Sequence, residues 1–456
     1  MKKEFKKLAR RMLACMMIFT MLVSAGCNNG KTVREENKST STEEDEESSN
    51  FMDSLGEPDT INLWYTNDEL TSYLKICALT FSRSHDIQVN LELVSSVDYL
   101  ENINISTKNG DSVDVYILNT ESLEKAYLAG LATENTDSLY NNYSFPQVAL
   151  DASTYKERLL GYPLYYDTVF FLYNKDFVRE PETFQDIIKF SESYEGEFPG
   201  IETIISFDVY DLFFSYGFVG SYLNLGGACG DDASIIDVAN DKVIEALTFY
   251  KKLNQALYFD ADDSAYDKVL KDFIDGKILY TMGSTATLAK IITSDMNYGI
   301  CTMPRLNAEL ETKAVSVNYT AVVNPYSPNK ELAKSLAKSI SYEYAENFYA
   351  SVKKLPSRRL DVYPDDEWKH IAEQYEHTAI LPKLMAATNY WMELEVTLNN
   401  IWKKELNEET EIDEGNDSLT EEEQMQLRQQ MMEEIMRNYV AGEINKVQEK
   451  MELQIK

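Results

Sequence analysis

From residue 61 onwards, short apolar runs with strand character alternate with longer stretches whose apolar residues recur at helical spacing. Residues 61–65 predict a strand, and the apolar positions of residues 68–83 predict a helix. Residues 87–94 alternate apolar and polar side chains, as a half-buried strand does, and residues 113–118 predict a third strand after another helix. Strands that alternate with helices predict an α/β fold with a largely parallel sheet.

The same alternation continues in the second half of the chain. Residues 169–173 and 278–282 predict strands, and residues 243–257 predict a helix between them, so we expect a second α/β lobe. A chain of 456 residues is long enough for two or three lobes. In parallel α/β sheets ligands bind beyond the carboxyl ends of the strands, which indicates the loops at 65–69 and 119–121.

Charge and histidine content narrow the functions that this chain can have. It carries 43 Lys and Arg against 76 Asp and Glu, a formal net charge of −33, so we expect no nucleic-acid partner. Three histidines provide little material for a histidine-based zinc site or a Ser-His-Asp relay. We therefore expect no catalytic residues, no metal and no cofactor, although a pair of glycosidase carboxylates among so many acids stays an open alternative.

The first residues predict export. A basic stretch at 1–11 precedes an apolar run at 12–23, which is the pattern of a signal peptide and is shorter than the roughly 20 residues that span a bilayer. Residues 24–27 (Ser-Ala-Gly-Cys) resemble the lipobox of bacterial lipoproteins, which implies a signal peptide over 1–26, lipidation of Cys27 and attachment to the outer face of the cell membrane. Residues 27–55 are acidic and polar, so we expect a disordered tether.

Four stretches carry a resemblance to a known family. They are residues 63–65 (Leu-Trp-Tyr), 110–115 (Gly-Asp-Ser-Val-Asp-Val), 162–176 and 298–304 (Tyr-Gly-Ile to Met-Pro). In this order and spacing they resemble the extracellular solute-binding proteins of bacterial ABC importers, in the carbohydrate-binding family that includes maltose-binding protein.

The resemblance implies a two-lobe periplasmic-binding-protein-like fold of type II, with a hinge and a central ligand cleft. Lobe 1 would comprise residues 56–164 and 285–330, and lobe 2 residues 165–284 and 331–456. A polar stretch near 403–430 departs from the family pattern and is interpreted as an insertion before a final helix.

The resemblance also implies a function. We expect a monomer that captures a sugar or oligosaccharide by cleft closure and delivers it to ABC permease subunits, with the lipid anchor as its only contact with the membrane. A binding protein for a peptide or polyamine is the alternative, and a surface glycoside-active enzyme is a further one.

Sugars are bound by aromatic rings against their apolar faces and by carboxylates and amides at their hydroxyls. Glu121, Asp167 and Trp391 stand where relatives bind the sugar, with a helix-capping role as the alternative for the two acids and a packing role as the alternative for Trp391. Thr285 stands where many relatives carry an aromatic ring. Gly226, Gly227, Asp208, Tyr210 and Asp211 are weaker candidates. The implied ligand-binding residues are Tyr65, Thr66, Asp68, Glu69, Glu121, Asp167, Thr285, Tyr390 and Trp391.

Overall fold

The computed structural model describes residues 60–110, 113–257, 265–405 and 420–455. The predicted signal peptide, Cys27 and the predicted tether lie outside these residues. The strands are β1 (Thr60–Tyr65), β2 (Gln88–Leu93), β3 (Val115–Asn119), β4 (Thr154–Tyr155), β5 (Arg158–Leu159), β6 (Tyr162–Asn174), β7 (Thr203–Ile205), β8 (Asn224–Gly226), β9 (Asp232–Asp237), β10 (Ile278–Ser284), β11 (Tyr298–Cys301), β12 (Val315–Val323) and β13 (Ala379–Ile380).

α-Helices separate the first three strands as the sequence predicts, whereas β4, β5 and β6, β8 and β9, and β11 and β12 follow one another without a helix between them. The α-helices are α1 (Thr71–His85), α2 (Tyr99–Asn109), α3 (Leu123–Leu128), α4 (Gln147–Ser153), α5 (Phe184–Ser193), α6 (Leu212–Ser215), α7 (Asp241–Leu257), α8 (Tyr266–Ile274), α9 (Leu288–Ile292), α10 (Lys330–Lys338), α11 (Phe348–Val352), α12 (Asp366–Glu376), α13 (Tyr390–Lys403) and α14 (Glu421–Ile455).

Strand β1 lies between β2 and β3, and both pairings are parallel, as the alternation of strands and helices predicts. Along β1 every second side chain is buried. Helix α1 follows and buries Tyr73, Cys77 and Phe81, which lie on one face because they are three or four positions apart. The prediction is therefore confirmed for the first three strands.

Strand β6 is the longest strand, and it departs from the prediction. The sequence predicts a strand at 169–173, whereas β6 runs from Tyr162 to Asn174. Its first half pairs antiparallel with β12, and its second half pairs antiparallel with β10 and β11. The sheet order β2-β1-β3-β12-β6-β10-β7 therefore continues from one half of the fold to the other through β6. The sheet is mixed and not largely parallel: β1 with β2 and β3, and β10 with β7, pair parallel, whereas β12 and β6 are antiparallel to their neighbours in this order.

Two large hydrophobic cores flank this crossing strand. One contains Ile61, Val115 and Trp368, and the other contains Phe171 and Trp402. The first core also takes side chains from residues 269–300 and 333–375, on both sides of the boundaries predicted for the lobes. The cores therefore do not decide those boundaries, which stay a prediction.

Helix α14 begins inside the predicted insertion at 403–430, most of whose remainder lies outside the described residues. It packs against α7 and α13 and buries Val440, Ile444 and Val447 in the second core. Among the residues that the structure describes, no helix is both long and apolar enough to cross a membrane.

Candidate ligand-binding site

Two asparagine-capped turns lie at the same edge of the sheet. After β1, the Asn67 side-chain oxygen accepts a hydrogen bond from the Glu69 backbone N–H (3.1 Å). After β3, Asn119 accepts one from the Glu121 N–H in the same way (3.0 Å). Because β1 and β3 are parallel neighbours, both turns follow carboxyl ends at one edge. The capping side chain of the second turn is Asn119, so Glu121 does not have the helix-capping role that was its alternative.

A buried lysine joins two of the predicted acids. Lys354 Nζ lies 2.9 Å from Asp167 Oδ1 and 3.1 Å from Glu69 Oε2. Asp167 lies within β6, where it is paired with Val317 of β12, and is therefore not a helix cap either. Thr285 Oγ1 donates to Asp167 Oδ1 at 2.7 Å. The structure therefore brings Glu69, Asp167 and Thr285 together.

Two stacked tyrosine rings lie beside Lys354. The rings of Tyr165 and Tyr319 stack in parallel, with centroids 4.4 Å apart and planes 1° apart. Burial first, and then the negative charges of Asp167, Glu121 and Glu69, raise the pKa of Tyr319 to about 12. We call these three acids the carboxylate cluster, since all of them act on one hydroxyl.

The environment also alters the pKa of the charged groups. The Glu121 side chain is in contact with solvent, yet the surrounding protein partly desolvates its carboxylate and raises its pKa. A hydrogen bond from Asn119 Nδ2 (2.8 Å) lowers the pKa, but by less than the desolvation raises it. Burial alone lowers the pKa of Lys354, but the charges of Asp167 and Glu69 outweigh it, so the pKa of Lys354 is raised.

A pocket of about 350 Å³ opens at this edge of the sheet, and its charged lining residues are Asp98 and Lys125. Its volume lies at the lower end of the range for small-ligand sites. Thr66 follows β1, Asn119 ends β3, and Tyr319 projects from β12, so three neighbouring strands contribute to its wall. Hydroxyl, amide and aromatic groups therefore converge at the edge where the sequence predicts a ligand.

Other predicted residues lie elsewhere. Tyr65 is 3% exposed in the first core, where its hydroxyl pairs with Thr71 Oγ1 (3.0 Å), while Asp68 is exposed in the turn.

On α13, the half-buried Trp391 stacks on Tyr216 with centroids 5.8 Å apart and planes 16° apart. Its neighbour Tyr390 is buried and lines a different crevice, of about 730 Å³, so adjacent positions on one helix face different surroundings.

The weaker candidates serve the local backbone. Asp208 accepts hydrogen bonds from the Tyr210 and Asp211 N–H groups (3.1 and 3.2 Å), and Asp211 accepts one from the Phe213 N–H (2.8 Å). Gly226 and Gly227 both have positive φ, in a turn whose Gly230 packs against the backbone of Pro382.

Sequence reasoning indicated the loops that contain Asn67 and Asn119 without naming these two residues, and it missed Tyr165, Tyr319 and Lys354. A signal existed for the asparagines, because each precedes a predicted acid by two positions and Asn commonly caps such turns. Lys354 gave no such signal, because it is 187 residues from Asp167 in sequence.

Comparison with known sequences identifies the family of the chain. The profile of the family described as bacterial extracellular solute-binding protein matches residues 77–376. A maltodextrin-binding protein of Bacillus subtilis, MdxE, is 24% identical over 342 residues, covering 70% of this chain and 79% of that protein. A galactooligosaccharide-binding protein of the same organism is 20% identical over 356 residues, covering 74% of this chain and 83% of that protein.

Comparison with solved structures supports the fold. The extracellular solute-binding protein from Staphylococcus aureus, solved in complex with maltose, superposes with a TM-score of 0.66 at 18% identity. The match covers 86% of this chain and 98% of that one, so both share the two-lobe type II fold.

Proposed function

Because the chain belongs to the bacterial extracellular solute-binding family, we propose that it captures a sugar or oligosaccharide outside the cell and delivers it to the membrane subunits of an ABC importer. The observation that carries the proposal is the carboxylate cluster around the stacked pair of Tyr165 and Tyr319. Carboxylates accept hydrogen bonds from sugar hydroxyls and asparagine amides both accept and donate them, and the ring of Tyr319, which is stacked on the buried Tyr165, offers an aromatic surface at the pocket. The two Bacillus subtilis relatives, named as oligosaccharide-binding proteins, support the same ligand class.

The proposed mechanism is capture by closure of two lobes. Lobe 1 supplies the turns at Glu69 and Glu121, and lobe 2 supplies Trp391 on its Tyr216 support. Strand β6 passes between the two halves and acts as part of the hinge. A ligand that contacts both lobes favours the closed state by its extra affinity for that state. The protein makes and breaks no bond and acts as a monomer.

We expect the protein to be tethered to the outer face of the cell membrane through lipid on Cys27. The proposal rests on the sequence of residues 24–27 and the acidic, polar composition of residues 28–55. Labelled palmitate should enter the full-length chain in a bacterial host, and the Cys27→Ser variant should remain unlabelled. Equal labelling of both chains would contradict lipidation at this residue.

The test of the proposed function is the unfolding temperature of the purified protein with a panel of mono- and oligosaccharides, peptides and polyamines. A ligand that binds only the folded state adds about 2.7 kcal/mol of stability at 100 times its Kd, so one or more saccharides should raise the unfolding temperature. In Trp391→Ala we expect the affinity for that saccharide to fall about tenfold, which corresponds to about 1.4 kcal/mol. A shift with a peptide or polyamine and with no saccharide would keep the fold and overturn the sugar assignment.

A further inference from the structure

The Lys354 ammonium is the counter-charge of the carboxylate cluster. Its side chain is only 6% exposed, and its Nζ lies 2.9 and 3.0 Å from the two oxygens of Asp167. The third contact, 3.1 Å long, goes to Glu69, whose side chain is 48% exposed. The ammonium also lies 5.6 Å from the ring centroid of Tyr165. It is therefore placed between the buried acid, the solvent-facing acid and the aromatic pair.

Without this ammonium the cluster would attract cations. Glu69 and Asp167 would then be two carboxylates that share one small space with no counter-charge between them. Opposite charges interact strongly where solvent is partly excluded. The whole chain has a net charge of −33, which raises the local concentration of cations around it. A site for an uncharged ligand on such a protein needs a positive charge close to its carboxylates.

We propose that Lys354 is a specificity-determining residue: its ammonium offsets one of the two negative charges of Glu69 and Asp167 and ties both carboxylates, so that this edge of the sheet favours an uncharged polyhydroxyl solute over polyvalent cations. This inference rests on the proposed function and refines its substrate class. Lys354 also positions the acids, because Asp167 accepts from Lys354 and from Thr285 (2.7 Å), which fixes its carboxylate in one orientation.

The experiment is isothermal titration of the purified full chain with maltotriose and with spermidine. Four proteins are compared: the wild type, Lys354→Met, Lys354→Arg and Lys338→Met. Lys338 is the matched control, since it forms a salt bridge with Asp137 (2.9 Å) on a different part of the surface. In Lys354→Met we expect spermidine affinity to rise at least tenfold and maltotriose affinity to fall about tenfold. The gain in spermidine affinity should disappear at high salt, because salt screens the attraction between the polyamine and the carboxylates. Lys354→Arg and Lys338→Met should keep the wild-type preference.

A double variant separates charge from packing. Adding Glu69→Gln to Lys354→Met removes one of the two uncompensated carboxylates, so spermidine affinity should return towards the wild-type value. If Lys354→Met does not fold, Lys354→Gln carries the same expectation, because an amide can still donate to Asp167 without a charge.

The outcomes distinguish this inference from the proposed function. A wild type that binds no saccharide contradicts the proposed function, while the spermidine comparison still tests Lys354. Spermidine binding that is equally weak, or equally strong, in the wild type and in folded Lys354→Met overturns the inference. So does a loss of maltotriose binding in Lys354→Arg as large as in Lys354→Met.

Discussion

Replacing Trp402 by alanine should lower the free energy of unfolding by about 3–5 kcal/mol, which is typical of removing a fully buried aromatic side chain. Trp402 is 1% exposed in the second core, with its ring 4.8 Å from that of Tyr250 and 6.2 Å from that of Phe207. The Trp402 carbonyl accepts a hydrogen bond from Lys251 Nζ (2.6 Å), and this backbone contact does not depend on the side chain. The variant therefore measures chiefly the packing of the ring.

Trp391→Ala is the matched control, because both tryptophans lie on α13. Trp391 is half-buried and stacks on a single ring, so its removal should cost clearly less stability than that of Trp402. Urea unfolding followed by circular dichroism gives the midpoint for each variant. Saccharide titration should rank the two variants in the opposite order. Among molecules that remain folded, Trp391→Ala should lose more affinity than Trp402→Ala. Equal losses of stability in the two variants would contradict the interpretation that Trp402 serves core packing while Trp391, at the other end of α13, serves ligand binding.

The sequence predicted those parts of the fold that depend on neighbouring residues. The predicted strand at 61–65 is β1, and the helix at 68–83 is α1 with its ends shifted by a few positions. Both elements are buried on one side, which leaves a clear period in the pattern of apolar residues. In β6 nearly every residue is buried, so this period is lost and its length could not be predicted.

Neither strand β12 nor the direction of its pairing was predicted from the sequence. The alternation of strands and helices correctly indicates parallel pairing of β1 with its neighbours. Strand β12 is antiparallel to both β3 and β6, with which it pairs from far along the chain. No local pattern records the direction in which a distant strand returns, so the parallel expectation failed there.

The residues of the candidate site also differ in whether the sequence predicts them. Glu69 and Glu121 could be located because each follows a predicted strand directly and lies in its carboxyl-end loop. Lys354 could not, because only the fold brings it to Asp167 and Glu69. The ion pairs of Glu69 and Asp167 therefore depend on a residue that the sequence gives no reason to place beside them.

Replacing Gly220 by alanine should lower the free energy of unfolding by about 3 kcal/mol, at the upper end of the usual cost of overpacking. A Cβ at this buried position would lie 2.2 Å from the carbonyl oxygen of Lys313 and 2.4 Å from the ring of Tyr216. The carbonyl is part of the backbone just before β12 and cannot rotate away. The segment is also tied there by the hydrogen bond from Lys313 N–H to the Gly217 carbonyl (3.0 Å).

Gly442→Ala is the matched control for this change. Gly442 lies within α14, and a Cβ there would meet no atom within 4 Å, so alanine should stabilise the protein by about 0.5–1 kcal/mol through helix propensity. Urea unfolding of the two variants should therefore give shifts of opposite sign. Because Tyr216 supports Trp391, Gly220→Ala should also weaken saccharide binding in the molecules that remain folded. A Gly220→Ala protein as stable as the wild type would show that the loop can move away from β12, and the contact would then not hold the Tyr216 support in place.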